Sequence, residues 1–87
     1  MTTLAVRHTV SDFDTWKTAF DGHATVRAQY GATDVRVLHD DTAVLVLMDF
    51  PDAAAVHKFM ADPSLAEAMS KGGVVSAPEV SVLVEAA

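Results

Sequence analysis

Ser11–Gly31 reads SDFDTWKTAFDGHATVRAQYG, and its spacing decides the rest of the chain. Phe13, Trp16, Phe20, His23, Arg27 and Tyr30 recur at intervals of three or four residues, the repeat that places side chains on one face of an α-helix. Ser11 is the expected N-cap and Asp14 completes a capping-box-like pair. Asp12 and Asp14 also suit the positive end of the helix dipole. Gly31 follows Tyr30, where a helix commonly ends on a left-handed residue. Gly22 falls mid-helix at a cost of about 1 kcal/mol relative to alanine. It marks either a close approach of backbone or ligand, or a tolerated surface glycine. The stripe changes character halfway along. Phe13, Trp16 and Phe20 are core anchors, whereas His23 and Arg27 need something polar to meet them. Such a stripe is either a helix end whose heads snorkel to water or the wall of a pocket.

On either side of this helix the pattern shifts to period 2. Thr3–Val10 alternates, with Leu4, Val6, His8 and Val10 on one side, so His8 lies among aliphatics. Thr33–His39 and Ala43–Phe50 are a second and third strand, joined by a tight turn at Asp40–Thr42. Pro51 and Asp52 open a second helix burying Val56, Phe59 and Met60. Asp62-Pro63-Ser64 breaks it, and Leu65–Lys71 forms a short third helix ending at Gly72-Gly73. The last strand is Glu79–Glu85, with Val80, Val82 and Val84 inward.

Strand, helix, strand, strand, broken helix, strand is the βαββαβ order of a ferredoxin-like α+β domain, here a single domain over residues 1–87. Right-handed crossovers put the helices on one face of a four-stranded antiparallel sheet. The third strand is nevertheless apolar on both faces: Leu45 and Leu47 oppose Val44, Val46, Met48 and Phe50, and Leu83 joins the uncovered side. An apolar face of that size predicts a homodimer packed sheet against sheet.

Bulk composition narrows the function classes. Six basic against twelve acidic side chains, a formal charge of −6, argue against nucleic acid and against an anionic membrane surface. The absence of cysteine removes disulfides and thiolate metal sites. No apolar run approaches a membrane span or a signal peptide, so a cytoplasmic location is expected.

The chain resembles the dimeric α+β barrel superfamily, and within it the small proteins related to antibiotic-biosynthesis monooxygenases and cyclases. The resemblance rests on His8, the run SDFDTWKTAFDGH, Arg27, Gly31, DFPDAAAVHKFM, DPSLAEAM and the Gly73-Val74 loop. It covers nearly the whole chain, although the turn at Asp40–Thr42 is shorter than in many relatives. The resemblance implies a ligand cavity between helices and sheet, and includes cofactor-free oxygenases of aromatic polyketides among its members.

His8 and His23 are the candidate catalytic residues. An imidazole among aliphatics has a pKa within reach of neutrality and suits a general base or acid; the alternative is a core histidine satisfied by a backbone group. Arg27 either holds an enolate, phenolate or carboxylate, or snorkels to water or pairs with Asp34 or another carboxylate. Trp16, Phe20, Met48, Phe50, Phe59 and Met60 are core residues whose faces also suit a planar ligand. His57 sits at the margin of its helix and is included as a residue at the cavity mouth. His39 falls at a turn. No pair of histidines has helical ligand spacing, so no metal is expected. No cofactor is expected either.

The combined reading is a cofactor-independent enzyme of secondary metabolism. It would abstract a proton from an aromatic or polyketide-like substrate, ahead of cyclisation, isomerisation or oxygen insertion. The alternatives are a non-catalytic module for a small hydrophobic ligand and a structural dimerisation domain.

Overall fold

A computed structural model describes residues 1–86. In chain order it contains β1 (Thr2–Thr9), α1 (Phe13–Gly22), α2 (Ala24–Gln29), β2 (Thr33–Asp40), β3 (Ala43–Phe50), α3 (Ala53–Met60), α4 (Pro63–Lys71) and β4 (Glu79–Val84). The strands form one antiparallel sheet in the order β2-β3-β1-β4. This is the ferredoxin-like arrangement, with each of its two helices split in two.

Register explains where the core lies. Leu4 pairs with Met48, Val6 with Val46 and His8 with Val44, and directly opposed residues share a face. All six are buried, together with Phe50, Val10, and Trp16, Val56 and Phe59 from the helices above. The β2–β3 turn is Asp41-Thr42, and Asp41 takes a left-handed φ of 54°, a conformation that aspartate tolerates better than most residues.

Several local expectations change. The helix predicted over Ser11–Gly31 is broken at His23 (φ −94°, ψ 4°), whose N–H reaches back to Phe20 O at 3.1 Å in a tightened turn. Gly22, a poor helix former, immediately precedes the break. A Cβ there would meet nothing within 4 Å, so no close approach demands the glycine. The N-cap is Asp12 rather than Ser11; its carboxylate accepts from Thr15 N at 2.9 Å and from Thr15 Oγ1 at 2.8 Å. Ser11 instead donates its N–H to Gly73 O (2.9 Å), tying the last loop to the end of β1. Gly31 does take a left-handed φ of 85° just beyond α2. Asp62-Pro63-Ser64 not only breaks a helix but starts one: Asp62 caps α4 and Pro63 occupies its first turn.

The fourth strand departs most. Val80, Val82 and Val84 lie opposite Val6, Leu4 and Thr2, on the helix-facing side as expected. They are still 42%, 41% and 75% exposed, because β4 is an edge strand that the helical layer does not cover. On the opposite side of the sheet Leu45 and Leu47 are half-buried, whereas Leu38 and Leu83 stand open.

Candidate active site

Between sheet and helices lies a cavity of about 50 Å³. Val6 and His8 of β1 and Val46 and Met48 of β3 form its floor. Trp16 and Phe20 of α1 form one wall, with His23 and Arg27 beyond them. Phe59 and Met60 of α3 and Leu65, Ala68 and Met69 of α4 close it. The lining is apolar apart from three side chains. His8, His23 and Arg27 are 5%, 8% and 7% exposed.

Each of the three is placed by a local feature. His8 occupies the inward phase of β1 and meets Trp16 edge-on, with ring centroids 5.5 Å apart. Its Nδ1 is fully enclosed without a hydrogen-bond partner. Burial pushes the His8 pKa below its ordinary value and outweighs an opposing contribution from its own backbone. Such a group is the neutral, proton-accepting form at pH 7.

His23 sits at the junction of α1 and α2, with Nε2 2.9 Å from Ser64 Oγ. Burial again lowers its pKa; the positive charge of Arg27 adds to this and Asp62 opposes it. Arg27, one turn further on, faces inward. Its Nη1 donates to Phe20 O at 2.7 Å, and its guanidinium stacks on the Phe20 ring at 3.7 Å. Both expectations for a bland Arg27, snorkelling or pairing with Asp34, give way to this inward position. Among the described residues no carboxylate lies within ion-pair distance of it, since the ion pairs are Lys17–Asp21 and Lys71–Glu67. Burial lowers the Arg27 pKa, and Asp21 offsets this only from a distance.

A second, open cleft of about 300 Å³ lies outside α1 and α4, bordered by Ala19, Gly22, Ser64, Glu67 and Lys71. It shares His23 and Ala68 with the inner cavity. The two spaces therefore meet at the helix break.

Of the residues singled out from sequence, His8, His23, Trp16, Phe20, Arg27, Met48, Phe59 and Met60 all line the cavity. Phe50 does not: it is fully buried behind Phe59, with ring centroids 5.5 Å apart. His57 is exposed and also lies outside the lining. His39 is exposed too, stacked on Phe13 at 3.6 Å. The sequence reading missed Ser64 and Asp62, taken only as helix breakers. The Asp-Pro pair before an apolar helical pattern is the cap signal that places both at the inner end of α4. Among the described residues no group of three or more His, Asp or Glu side chains is arranged to hold a metal ion.

Neither known family patterns nor curated proteins match this chain by sequence. Solved structures do match by shape. SnoaB, a cofactor-independent oxygenase from Streptomyces nogalater, superposes with a TM-score of 0.82 at 18% identity, covering 99% of this chain and 93% of that one. An antibiotic biosynthesis monooxygenase gives 0.79 at 12% identity over the full length of both. The ActVA-Orf6 monooxygenase of Streptomyces coelicolor, in complex with nanaomycin D, gives 0.70 at 18% identity, covering 99% and 88%. The chain shares their ferredoxin-like fold. Identity this low carries the fold and no individual reaction.

Proposed function

We propose that the protein is a cofactor-independent monooxygenase-type enzyme of secondary metabolism, acting on an aromatic or polyketide-like carbon acid. One observation carries this reading: His8, His23 and Arg27 converge, all buried, on a single otherwise apolar cavity. Two neutral imidazoles supply bases. Arg27, a cation without a carboxylate partner, supplies the charge for an enolate or phenolate oxygen. In the proposed reaction a histidine takes a proton from an activated CH₂ group, and the negative charge settles on the conjugated oxygen facing Arg27. The carbanion carbon bonds to dioxygen, the O–O bond breaks as the second C–H proton leaves, and water departs. The balance is R₂CH₂ + O₂ → R₂C=O + H₂O, with the substrate as sole reductant. Ring closure or isomerisation would begin with the same proton abstraction.

The cavity as it stands is well below the roughly 300–1,000 Å³ of typical ligand sites. Admission of a planar ring system therefore requires the methionines to shift, and α4 is the natural element to yield, since none of its residues is fully buried. The small volume also favours the rival reading of a domain filled by its own side chains. Anthrone, whose CH₂ is acidic because its anion is aromatic, separates the two. On the enzyme reading, anthraquinone forms with equimolar oxygen uptake. His8→Ala then lowers kcat by about 10²–10⁴-fold. No binding and no turnover by the intact protein would leave the domain without a substrate site of this class. Turnover unchanged in His8→Ala would remove His8 from the mechanism.

A homodimer belongs to the same proposal. Leu38, Leu45, Leu47 and Leu83 lie on the helix-free face of the sheet, and a second copy stacked there would cover them. The location is proposed to be cytoplasmic, in keeping with the absence, among the described residues, of a helix long and apolar enough to span a membrane.

A further inference from the structure

Behind His23 a chain of polar groups runs away from the cavity. Tyr30 OH donates to Asp62 Oδ2 at 2.6 Å. The other oxygen, Asp62 Oδ1, lies 2.6 Å from Ser64 Oγ and accepts the Ser64 backbone N–H at 2.8 Å. Ser64 Oγ in turn lies 2.9 Å from His23 Nε2. Proton counting fixes the direction of every link. A carboxylate only accepts, and a hydroxyl has one proton. At 2.6 Å from Asp62 the Ser64 proton must point to the carboxylate, which leaves Ser64 Oγ as acceptor toward His23. His23 Nε2 must then be the donor. In the neutral ring this makes Nδ1 the bare nitrogen.

We infer that Ser64 and Asp62 are positioning residues that hold His23 in the tautomer protonated on Nε2, so that Nδ1 is the nitrogen that takes up a substrate proton. The inference deepens the proposed function and rests on it only for the identity of the proton donor. The arrangement does two things. It fixes ring orientation, since the Nε2–H bond anchors His23 to the first turn of α4 across the α1–α2 break. It also supplies a counter-charge. Once Nδ1 is protonated, the imidazolium is linked through one hydroxyl to a carboxylate, which offsets the nearby guanidinium of Arg27. Among the described residues the remaining charged or titratable groups around this region are His8 across the cavity, Asp21, which acts on Arg27 and is paired with Lys17, and Glu67 and Lys71 on the α4 side of the cleft. Asp62 is suited to stay ionised throughout. Hydrogen bonds from the Ser64 hydroxyl, Tyr30 and the Ser64 N–H, with His23 adding to them, hold its carboxyl at about 2.

The test is histidine-labelled ¹⁵N NMR on the ligand-free full chain, alongside anthrone turnover. In the unmodified protein His23 is expected to show a proton on Nε2 that is protected from solvent exchange, with Nδ1 unprotonated. Ser64→Ala is expected to lose that protection and to lower the His23 pKa, and Ser64→Thr, which keeps a hydroxyl, is expected to restore both. Asp62→Asn keeps an acceptor and a helix cap but removes the charge; it is expected to keep the tautomer and lower the His23 pKa. A neutral His23 protonated on Nδ1, or a protected Nε2–H that survives Ser64→Ala, would overturn the assignment. In the kinetic arm, kcat for anthrone is expected to fall about tenfold in Ser64→Ala with KM unchanged, a part of the full acid–base contribution. Full activity in a Ser64→Ala variant with altered His23 signals would refute the positioning role. If the unmodified protein does not turn over anthrone, the proposed function fails, and the NMR signals still decide the tautomer.

Discussion

Replacing Arg27 with methionine separates what this residue does for the fold from what it does for a ligand. Arg27 is 7% exposed, and its guanidinium has no carboxylate within ion-pair distance among the described residues. Its favourable contacts are one charge-assisted hydrogen bond to Phe20 O and stacking on the Phe20 ring. Those are worth about 1.5–3 and 0.5–2 kcal/mol respectively. Against them stands the desolvation of a cation, several kcal/mol after relaxation. Truncation leaves no orphan behind, because Phe20 O still accepts the His23 N–H at 3.1 Å. Methionine fills similar volume with an adaptable apolar chain. The expected stability change for Arg27→Met is thus between about zero and 2 kcal/mol in favour of the variant, from the replacement of buried ions by apolar side chains. In a domain of this size that is a melting temperature unchanged or raised by up to ~15 °C. Affinity for an enolate- or phenolate-bearing ligand moves the other way. Loss of a charge-assisted contact worth about 1.5–3 kcal/mol weakens binding roughly 10- to 150-fold. Thermal unfolding by circular dichroism and titration with 1-naphtholate provide the two readings. A melting temperature lowered by more than ~10 °C would show that Arg27 is a structural element. Unchanged 1-naphtholate affinity would show that its charge does not face the ligand.

Because burial depresses both His8 and His23, their basic forms persist below the ordinary histidine pKa near 6.5. The acid limb of kcat/KM for anthrone is therefore expected below pH 6.5, and a limb above 7 would contradict the burial of both. The same shift sets the sign of the stability change. The unfolded chain binds these protons more readily, so stability is full above about pH 6.5 and falls as pH drops through the folded pKa values, measured by urea unfolding at stepped pH. Gly73→Ala is expected to destabilise by at least ~1 kcal/mol in the same assay, since Gly73 has φ 72° and an added Cβ would sit 2.5 Å from Ser11 Oγ. Paired Leu45→Glu and Leu47→Glu substitutions on the helix-free face are expected to leave a folded monomer by light scattering at micromolar concentration. A dimer that survives them would place its interface elsewhere.

An unbroken apolar run makes β3 legible, and period-2 alternation makes β1 legible, because a residue's phase in a strand fixes its face. His8 was identifiable as inward for that reason alone. The same rule misled at β4: phase gives the face of Val80, Val82 and Val84 but says nothing about cover, and an edge strand has none. The helix break at His23 escaped notice for a related reason. The three-four spacing continues across a single non-helical residue, so His23 and Arg27 keep their inward phase whether or not the helix is continuous. Ser64 and Asp62 had no periodic signal at all. Their partners His23 and Tyr30 lie 41 and 32 positions away, contacts that only the packing of α4 against the α1–α2 junction creates.

The break itself gives these observations a common cause. A continuous helix running from Phe13 to Gln29 would satisfy its backbone internally and would need only apolar faces beneath it. Ending α1 at Gly22 puts His23 at the junction of α1 and α2, beside the open cleft and against the start of α4. The polar residues of the stripe are thereby concentrated where the inner cavity meets the outer cleft. His23 is the side chain common to both spaces that can carry a proton, and it is the one fastened from behind. His8 differs: its Nδ1 is enclosed and has no hydrogen-bond partner. His23 therefore borders both spaces and is held through Nε2, whereas His8 borders the inner cavity alone and is held by no such link.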